Sequence, residues 1–248
     1  MKLLVDSGNT RVKWAVADQT ALRETGAVAY ADAPDWTESL PSTRVDAVYV
    51  ASVASSDAVQ RLASHADVLG VPLRRVQSSA RSGPLINSYE QPERLGVDRW
   101  LACIAGQARG AGSVLVADAG TALTLDWVDA QARHGGGLIA PGVASMRAAL
   151  RSETQLRPSH MPDVSIGLAR DTDRAIATGT LRSAISLLDD AAAQLQPDRL
   201  LLTGGEAALI APRLAHDWEI APHLVLEGLA IHAARDVGAG QNASQASE

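Results

Sequence analysis

The sequence lacks phenylalanine altogether, contains one cysteine and has no long hydrophobic run. Because Cys103 stands alone, no disulfide can form within the chain, and a metal site built from cysteines is not expected. No apolar segment approaches the roughly 18 residues that a membrane-spanning helix requires. A structured motif begins at Asp6, close to the N-terminus, so a signal peptide is not expected either. We therefore expect no membrane association and a cytoplasmic location.

Positive charge is also scarce. The 22 Lys and Arg residues are outnumbered by 28 Asp and Glu residues, and the net charge is −6. Nucleic acids are usually bound by clustered Lys and Arg side chains, so we expect no nucleic-acid partner. The P-loop and the G-x-G-x-x-G dinucleotide fingerprint are missing from the sequence, which argues against those nucleotide-binding folds. Any anionic ligand must then be held by loops and by a metal ion.

What the sequence does contain is a strand-turn-strand pattern that occurs twice. Short segments rich in Val, Leu and Ala flank the turn residues SGNTR in the first copy and AGTA in the second, which predicts two β-hairpins. Aligning DSGNTRVKWAV with DAGTALTLDWV places Asp6 over Asp118 and Gly8 over Gly120. The second copy therefore repeats the first one half a chain length later.

An internal repeat on this scale predicts a duplicated α/β fold with two related halves around a nucleotide cleft. Such a fold resembles the actin-like (ribonuclease H-like) superfamily. We expect an N-terminal half over residues 1–112, a C-terminal half over 113–236 and a disordered tail over 237–248, where small and polar residues predominate. Helical spacing of apolar residues also predicts helices over about 97–109 and 172–194.

Each hairpin has the chemistry of a phosphate-binding turn. A strand that ends in Asp and turns through Gly brings backbone N–H groups against phosphate oxygens, while the carboxylate faces a hydrated metal ion. We predict ATP and Mg²⁺ as cofactors, with Asp6 holding Mg²⁺ through water. The predicted nucleotide-binding residues are Asp6, Ser7, Gly8, Asn9, Thr10, Arg11, Val12, Lys13 and Thr121. A single Asp-x-Gly is also an ordinary turn, but two copies favour the nucleotide.

The residues between the hairpins make the pattern more specific. The segment 87–100 has the sequence NSYEQPERLGVDRW, and other motifs are DSGNTRVKW at 6–14, DAGTALT at 118–124, GGLIAPG at 136–142 and LVLEGL at 224–229. Together these motifs resemble the type III pantothenate kinases over nearly the whole chain. The resemblance implies ATP-dependent phosphorylation of pantothenate to 4′-phosphopantothenate, the first step of coenzyme A biosynthesis. It also implies a homodimer with the active site at the subunit interface.

The resemblance further implies which residues bind the substrate and a monovalent cation. The implied pantothenate-binding residues are Tyr89, Gly96, Val97, Asp98, Arg99 and Thr172. Asp98 is the implied general base, because phosphorylating an alcohol requires a carboxylate that accepts the hydroxyl proton. Arg99 suits the pantothenate carboxylate, and Asp118 is implied to bind K⁺ or NH₄⁺. Thr172 is implied to reach the substrate of the partner subunit, although Asp171 precedes it where Asn or Ser is expected.

The sequence also allows a purely structural role for Asp98 and other functions for the protein. Asp98 could be a first-turn acid that stabilises a helix by about 1 kcal/mol. An actin-like kinase or phosphatase that acts on a sugar, acetate or polyphosphate would share the hairpins, but it would not need the motif at 87–100. A regulatory protein that keeps the kinase fold without turnover is a third possibility, against which the three acids Asp6, Asp98 and Asp118 argue.

Overall fold

The Val-rich and alternating segments form two five-stranded sheets in the computed structural model. The structure describes residues 1–33, 35–52, 56–154 and 167–245, with backbone alone for residue 56 and for 237–245. The strands are β1 Lys2–Ser7, β2 Arg11–Asp18, β3 Ala21–Ala29, β4 Ala47–Ser52, β5 Leu73–Arg75, β6 Arg81–Ser82, β7 Leu85–Ile86, β8 Val114–Ala119, β9 Ala122–Val128, β10 His134–Pro141, β11 Arg199–Thr203 and β12 Glu219–Ile220. The helices are α1 Ser56–Leu69, α2 Val97–Ala108, α3 Val143–Glu153, α4 Thr172–Leu195, α5 Ala207–Ile210 and α6 Leu224–Gln245, with short 3-10 turns at Trp36–Ser39, Pro92–Arg94 and Ala211–Arg213.

The two sheets have the same topology. The first sheet has the order β3-β2-β1-β4-β5, and the second has the order β10-β9-β8-β11-β12. In each sheet the central strand is antiparallel to the strand of its hairpin and parallel to the strand that follows later in the chain. The predicted hairpins are therefore the central pairs of equivalent sheets, and the duplicated actin-like α/β fold is confirmed.

Each sheet buries one face of aliphatic side chains against helices. In the first sheet, residues such as Leu3, Val5 and Val50 pack with Leu62 of α1. In the second sheet, residues such as Leu115 and Leu202 pack against α4 and α5. The central strands β1, β4 and β8 are buried at nearly every position. Because successive side chains of a strand point to opposite faces, the other face of each sheet is covered along these strands as well.

The chain forms two compact units. The first unit contains residues 1–111, 132–134 and 223–248, and the second contains 112–131 and 135–222. The last helix, α6, belongs to the first unit. Gly228 of α6 lies against the backbone of Leu101 in α2, where an added Cβ would collide with the carbonyl, so the two helices pack closely.

The last helix reaches into the C-terminal segment of the chain. The helix α6 continues to Gln245, beyond the predicted end at Asp236, and residues 246–248 lie outside the described part of the chain. Among the helices of the described residues, none combines the length and apolar character of a membrane span.

Candidate functional site

The first Asp-x-Gly turn joins β1 and β2 in the first unit. Asp6 is half-buried and lies opposite Lys13 in the register of the two strands. The N–H of Gly8 donates to the carbonyl of Arg11 at 3.1 Å and closes the turn. The side chains of Asn9, Thr10 and Arg11 are exposed. The turn therefore presents backbone and polar side chains beside a carboxylate, as a phosphate site requires.

Two of the predicted nucleotide-binding residues in this turn have buried side chains. Val12 is fully buried in the core of the first unit, so only its backbone is available to contact a ligand. Ser7 is also fully buried, and its hydroxyl lies 2.9 Å from the hydroxyl of Tyr30. Burial raises the pKa of Tyr30, and the charge of Asp6 adds to the effect. The hydrogen bond between Ser7 and Tyr30 thus ties the end of β1, where the turn begins, to the segment that follows β3.

The second Asp-x-Gly turn joins β8 and β9 in the second unit. The N–H of Gly120 donates to the carbonyl of Ala122 at 3.0 Å, and the turn is one residue shorter than the first, because Ala119 pairs with Leu123 whereas Ser7 pairs with Val12. Asp118 is half-buried at the end of its strand, and the side chain of Thr121 is exposed. The repeat seen in the sequence is therefore a repeat of position, since each turn joins the central pair of its sheet, while the two turns differ in length.

Asp118 has a polar neighbour that the sequence did not single out as a ligand. Thr203 of β11 is in register with Asp118 of β8, and residues in register on neighbouring strands face the same side of a sheet. Its Oγ1 is buried and has no hydrogen-bond partner among the described residues. A carboxylate beside a buried, unsatisfied hydroxyl oxygen offers the oxygen ligands that hard cations prefer.

The loop before α2 is shaped by Asn87. Its side-chain Oδ1 accepts a hydrogen bond from the N–H of Tyr89 at 3.0 Å. Its amide nitrogen donates to the carbonyls of Ser79 and Pro92 at 3.2 and 3.1 Å. These bonds explain why Asn stands at the start of the motif NSYEQPERLG: its one amide group joins three points of the loop backbone.

Asp98 lies in the first turn of α2. Its Oδ1 accepts a hydrogen bond from the N–H of Arg99 at 2.8 Å. Gly96 is the N-cap of this helix, and a Cβ built there would lie 2.7 Å from the same oxygen. The glycine therefore leaves room for the carboxylate. Val97 packs into the core, so only its backbone is available to a ligand.

Arg99 and Tyr89 are brought together by the fold. The Arg99 side chain is 7% exposed, and its Nη1 donates to the hydroxyl of Tyr89 at 3.1 Å. The ring of Tyr89 lies 5.7 Å from that of His134, and the Oγ of Ser88 lies 3.4 Å from Nδ1 of His134. Sequence reasoning missed His134, which is fully buried, because it stands 45 residues from Tyr89 without a motif around it.

Thr172 is the first residue of α4 in the second unit. Asp171 is the N-cap, and its Oδ1 accepts a hydrogen bond from the N–H of Arg174 at 2.9 Å. Asp caps a helix as well as Asn or Ser does, so the departure from the family pattern leaves the helix start intact. Thr172 lines a mainly apolar groove of about 740 Å³ between α3 and α4, with Met146, Leu150 and Ile176 among its other residues.

The predicted site residues are divided between the two units. Asp6–Lys13, Tyr89 and Gly96–Arg99 belong to the first unit, whereas Asp118, Thr121 and Thr172 belong to the second. Within the first unit, Tyr89 and Arg99 are in direct contact. Each unit therefore carries one Asp-x-Gly turn, and the first also carries the segment with Asp98 and Arg99.

Comparisons with known proteins identify the family of the chain. The family model described as type III pantothenate kinase matches residues 2–194. A type III pantothenate kinase of Halorhodospira halophila is 38% identical, with 92% of this chain and 96% of the relative covered. One of Burkholderia lata is 37% identical, with 96% of each chain covered. The crystal structure of a conserved Baf family protein from Campylobacter jejuni has a TM-score of 0.63 at 20% identity, covers 95% of this chain and 99% of its own, and shows the same fold. With a match over most of its length and such relatives, the chain belongs to the type III pantothenate kinase family.

Proposed function

We propose that this chain is a pantothenate kinase that transfers the γ-phosphoryl group of ATP to the primary hydroxyl of pantothenate. The products are 4′-phosphopantothenate and ADP, and the reaction is the first step of coenzyme A biosynthesis. Full-length similarity to type III pantothenate kinases supports the substrate and the reaction. The single structural observation that carries the proposal is the segment Gly96–Arg99, where an acid and a buried arginine stand at one helix start.

Asp98 is the group that accepts the proton. As the hydroxyl oxygen of pantothenate forms its bond to the γ-phosphorus, its proton passes to the Asp98 carboxylate and the bond to ADP breaks. The N–H of Arg99 holds one oxygen of this carboxylate at 2.8 Å, which orients the side chain. The contact with Tyr89 fixes the Arg99 guanidinium, which can then bind the pantothenate carboxylate through charge-assisted hydrogen bonds.

The acids of the two turns fit the proposed cations. Asp6, at the end of β1, would hold Mg²⁺ through water, because Mg²⁺ prefers oxygen ligands and keeps several of its waters. When bound, Mg²⁺ would neutralise charge on the phosphates. Asp118 and the buried hydroxyl of Thr203 would provide oxygen ligands to K⁺ or NH₄⁺. Thr121, which is exposed at the tip of the second turn, would contact ATP.

The proposed assembly is a homodimer with the active site at the subunit interface. The groove between α3 and α4 supports this assembly, because it is mainly apolar and includes Thr172, which is expected to reach the substrate of the partner subunit. Apolar surface of this kind is typical of an interaction site. The proposed location is cytoplasmic, and neither a nucleic acid nor a membrane is a proposed partner.

A coupled assay of ADP release tests the proposed function. We expect ADP release that depends on pantothenate, requires Mg²⁺ and is faster in KCl or NH₄Cl than in NaCl. Detection of phosphopantothenate by mass spectrometry identifies the product. Release of ADP without pantothenate would indicate another acceptor, and release in neither condition would favour a regulatory protein; either result would overturn the proposal.

A further inference from the structure

Glu206 follows the double glycine after β11, and its carboxylate caps a helix to which it does not belong. Its Oε2 accepts a hydrogen bond from the N–H of Val143 at 2.8 Å, and its Oε1 accepts one from the N–H of Ala144 at 2.8 Å. These are the first two amides of α3, which have no acceptor inside the helix. The N-cap of α3 is Gly142, which has no side chain to cap them. Glu206 therefore occupies the position where an anion often binds at a helix N-terminus.

The same residue is tied to the second phosphate turn. The backbone N–H of Glu206 donates to the carbonyl of Ala119 at 2.8 Å. At the other end of the turn, the N–H of Gly142 and the hydroxyl of Ser145 donate to the carbonyl of Thr121 at 2.9 and 2.6 Å. Glu206 thus holds one end of the turn by its backbone. It holds the other end through the first turn of α3, which its carboxylate caps.

The close packing around this contact leaves the turn little freedom. A Cβ added at Gly142 would collide with the carbonyl of Gly120, and one added at Gly204 would collide with the carbonyl of Ala119. Two glycines therefore bring the start of α3 and the end of β11 against the backbone of the turn. The Glu206 carboxylate is the one side chain that bridges these two segments among the hydrogen bonds described above.

We propose that Glu206 is a positioning residue for the nucleotide, which fixes the turn Ala119–Thr121 so that the side chain of Thr121 meets the phosphates. The proposal deepens the proposed function and rests on its assignment of ATP to this turn. Glu206 itself does not need to contact ATP, since both of its oxygens accept hydrogen bonds from the α3 amides. Without the carboxylate, the start of α3 is uncapped and the carbonyl of Thr121 loses its fixed donors.

The test compares three purified variants with the wild type. Glu206→Ala removes both hydrogen bonds, and Glu206→Gln keeps an oxygen that can accept one of them. Asp198→Ala is the matched control, because Asp198 also accepts from a backbone amide, that of Ser113 at 2.7 Å, but it does so at the opposite end of β8. Binding of Mg²⁺-ATP is measured by isothermal titration calorimetry without pantothenate, alongside KM for both substrates and the thermal midpoint.

We expect Glu206→Ala to weaken ATP binding by about tenfold and to change KM for pantothenate by less than about twofold. Glu206→Gln should lie between Glu206→Ala and the wild type, since one acceptor remains. Asp198→Ala should lower the thermal midpoint without changing ATP affinity. Because the Gln variant removes no side-chain volume, it decides the question if the Ala variant does not fold.

Three outcomes would overturn the inference. ATP affinity of both Glu206 variants within about twofold of the wild type would show that the turn does not depend on the carboxylate. An equal loss in Asp198→Ala would show a general effect of stability. A wild-type protein that binds no ATP would remove the basis of both proposals, whereas one that binds ATP without phosphorylating pantothenate would overturn only the proposed function.

Discussion

At the scale of single residues, Asp98 combines a structural role at a helix start with the chemical role proposed for it. Its Oδ1 accepts a hydrogen bond from the N–H of Arg99. An acid in the first turn of a helix commonly stabilises the helix N-terminus. Gly96 leaves space for this oxygen, and Arg99 contacts Tyr89 in the same segment. Helix capping alone does not explain why a nearly buried arginine is placed next to it.

Replacing Asp98 with Asn separates the two roles. Asn keeps an oxygen that can accept the Arg99 N–H, so the fold should be preserved, but its amide cannot take up the hydroxyl proton. We expect kcat to fall by about 10²–10⁴, with the thermal midpoint and ATP affinity unchanged. Steady-state kinetics and thermal unfolding provide the measurements. Glu93→Gln, at an exposed acid of the same loop, is the control, and near-wild-type turnover of Asp98→Asn would remove Asp98 from the role of base.

At the scale of elements, a polar cluster attaches the last helix to the first sheet. The hydroxyl of Tyr49 in β4 donates to Oδ2 of Asp236 at 2.9 Å, and Arg74 donates to the same oxygen at 2.9 Å. Lys2 donates to the carbonyl of Ala233. Burial, followed by the hydrogen bond to Asp236, raises the pKa of Tyr49 to about 12. These contacts join α6 to the first sheet, whose strands lie much earlier in the sequence.

The raised pKa predicts how this attachment responds to alkali. The folded protein keeps the phenol proton that the unfolded chain begins to lose near the ordinary pKa of about 10. Stability from this group is therefore fully present below pH 10 and is lost between about pH 10 and 12. Tyr49→Phe should be about 1 kcal/mol less stable near pH 7.5, and the difference should narrow as the pH rises towards 12.

Urea unfolding of both proteins at several pH values measures that difference. Asp236 keeps its hydrogen bond from Arg74 in the variant, so the change isolates the phenol hydroxyl. A difference that stays constant from neutral to alkaline pH would contradict the assigned role of Tyr49.

At the scale of the whole molecule, the proposed homodimer would link the groove between α3 and α4 to catalysis. It is mainly apolar, and Thr172 lies at the start of one of its helices. If Thr172 reaches the substrate of a second copy, the groove must belong to the interface. Activity and dimerisation should then be lost together, while binding of ATP by a single subunit persists.

Ile176→Asp tests this coupling, because a charge placed in an apolar interface must be desolvated without a partner. We expect a dimeric wild type and a monomeric variant by size-exclusion chromatography with light scattering. The variant should bind ATP but not phosphorylate pantothenate. Val68→Asp, at an apolar residue that is 86% exposed on α1, should remain dimeric and active. A dimeric, active Ile176→Asp protein would place the interface elsewhere.

Local sequence patterns by themselves determined the turns and helix starts of this protein, because these features depend on residues that are close together in the sequence. The Asp-x-Gly turns at Asp6 and Asp118 and the helix that starts near Val97 follow from turn chemistry, strand alternation and helical spacing. The duplicated fold followed from the repeat, since equivalent hairpins form the centres of equivalent sheets. The substrate was indicated by the motif at 87–100 through its family resemblance.

Only the tertiary structure decided which distant residues meet. His134 lies beside Tyr89, α6 packs on α2, and the Glu206 carboxylate caps α3 instead of the short helix that follows it. Such contacts arise from the packing of whole strands and helices, and no periodicity around these residues encodes them. Sequence therefore indicated the chemistry of each turn, whereas the fold supplied the side chains that support and position it.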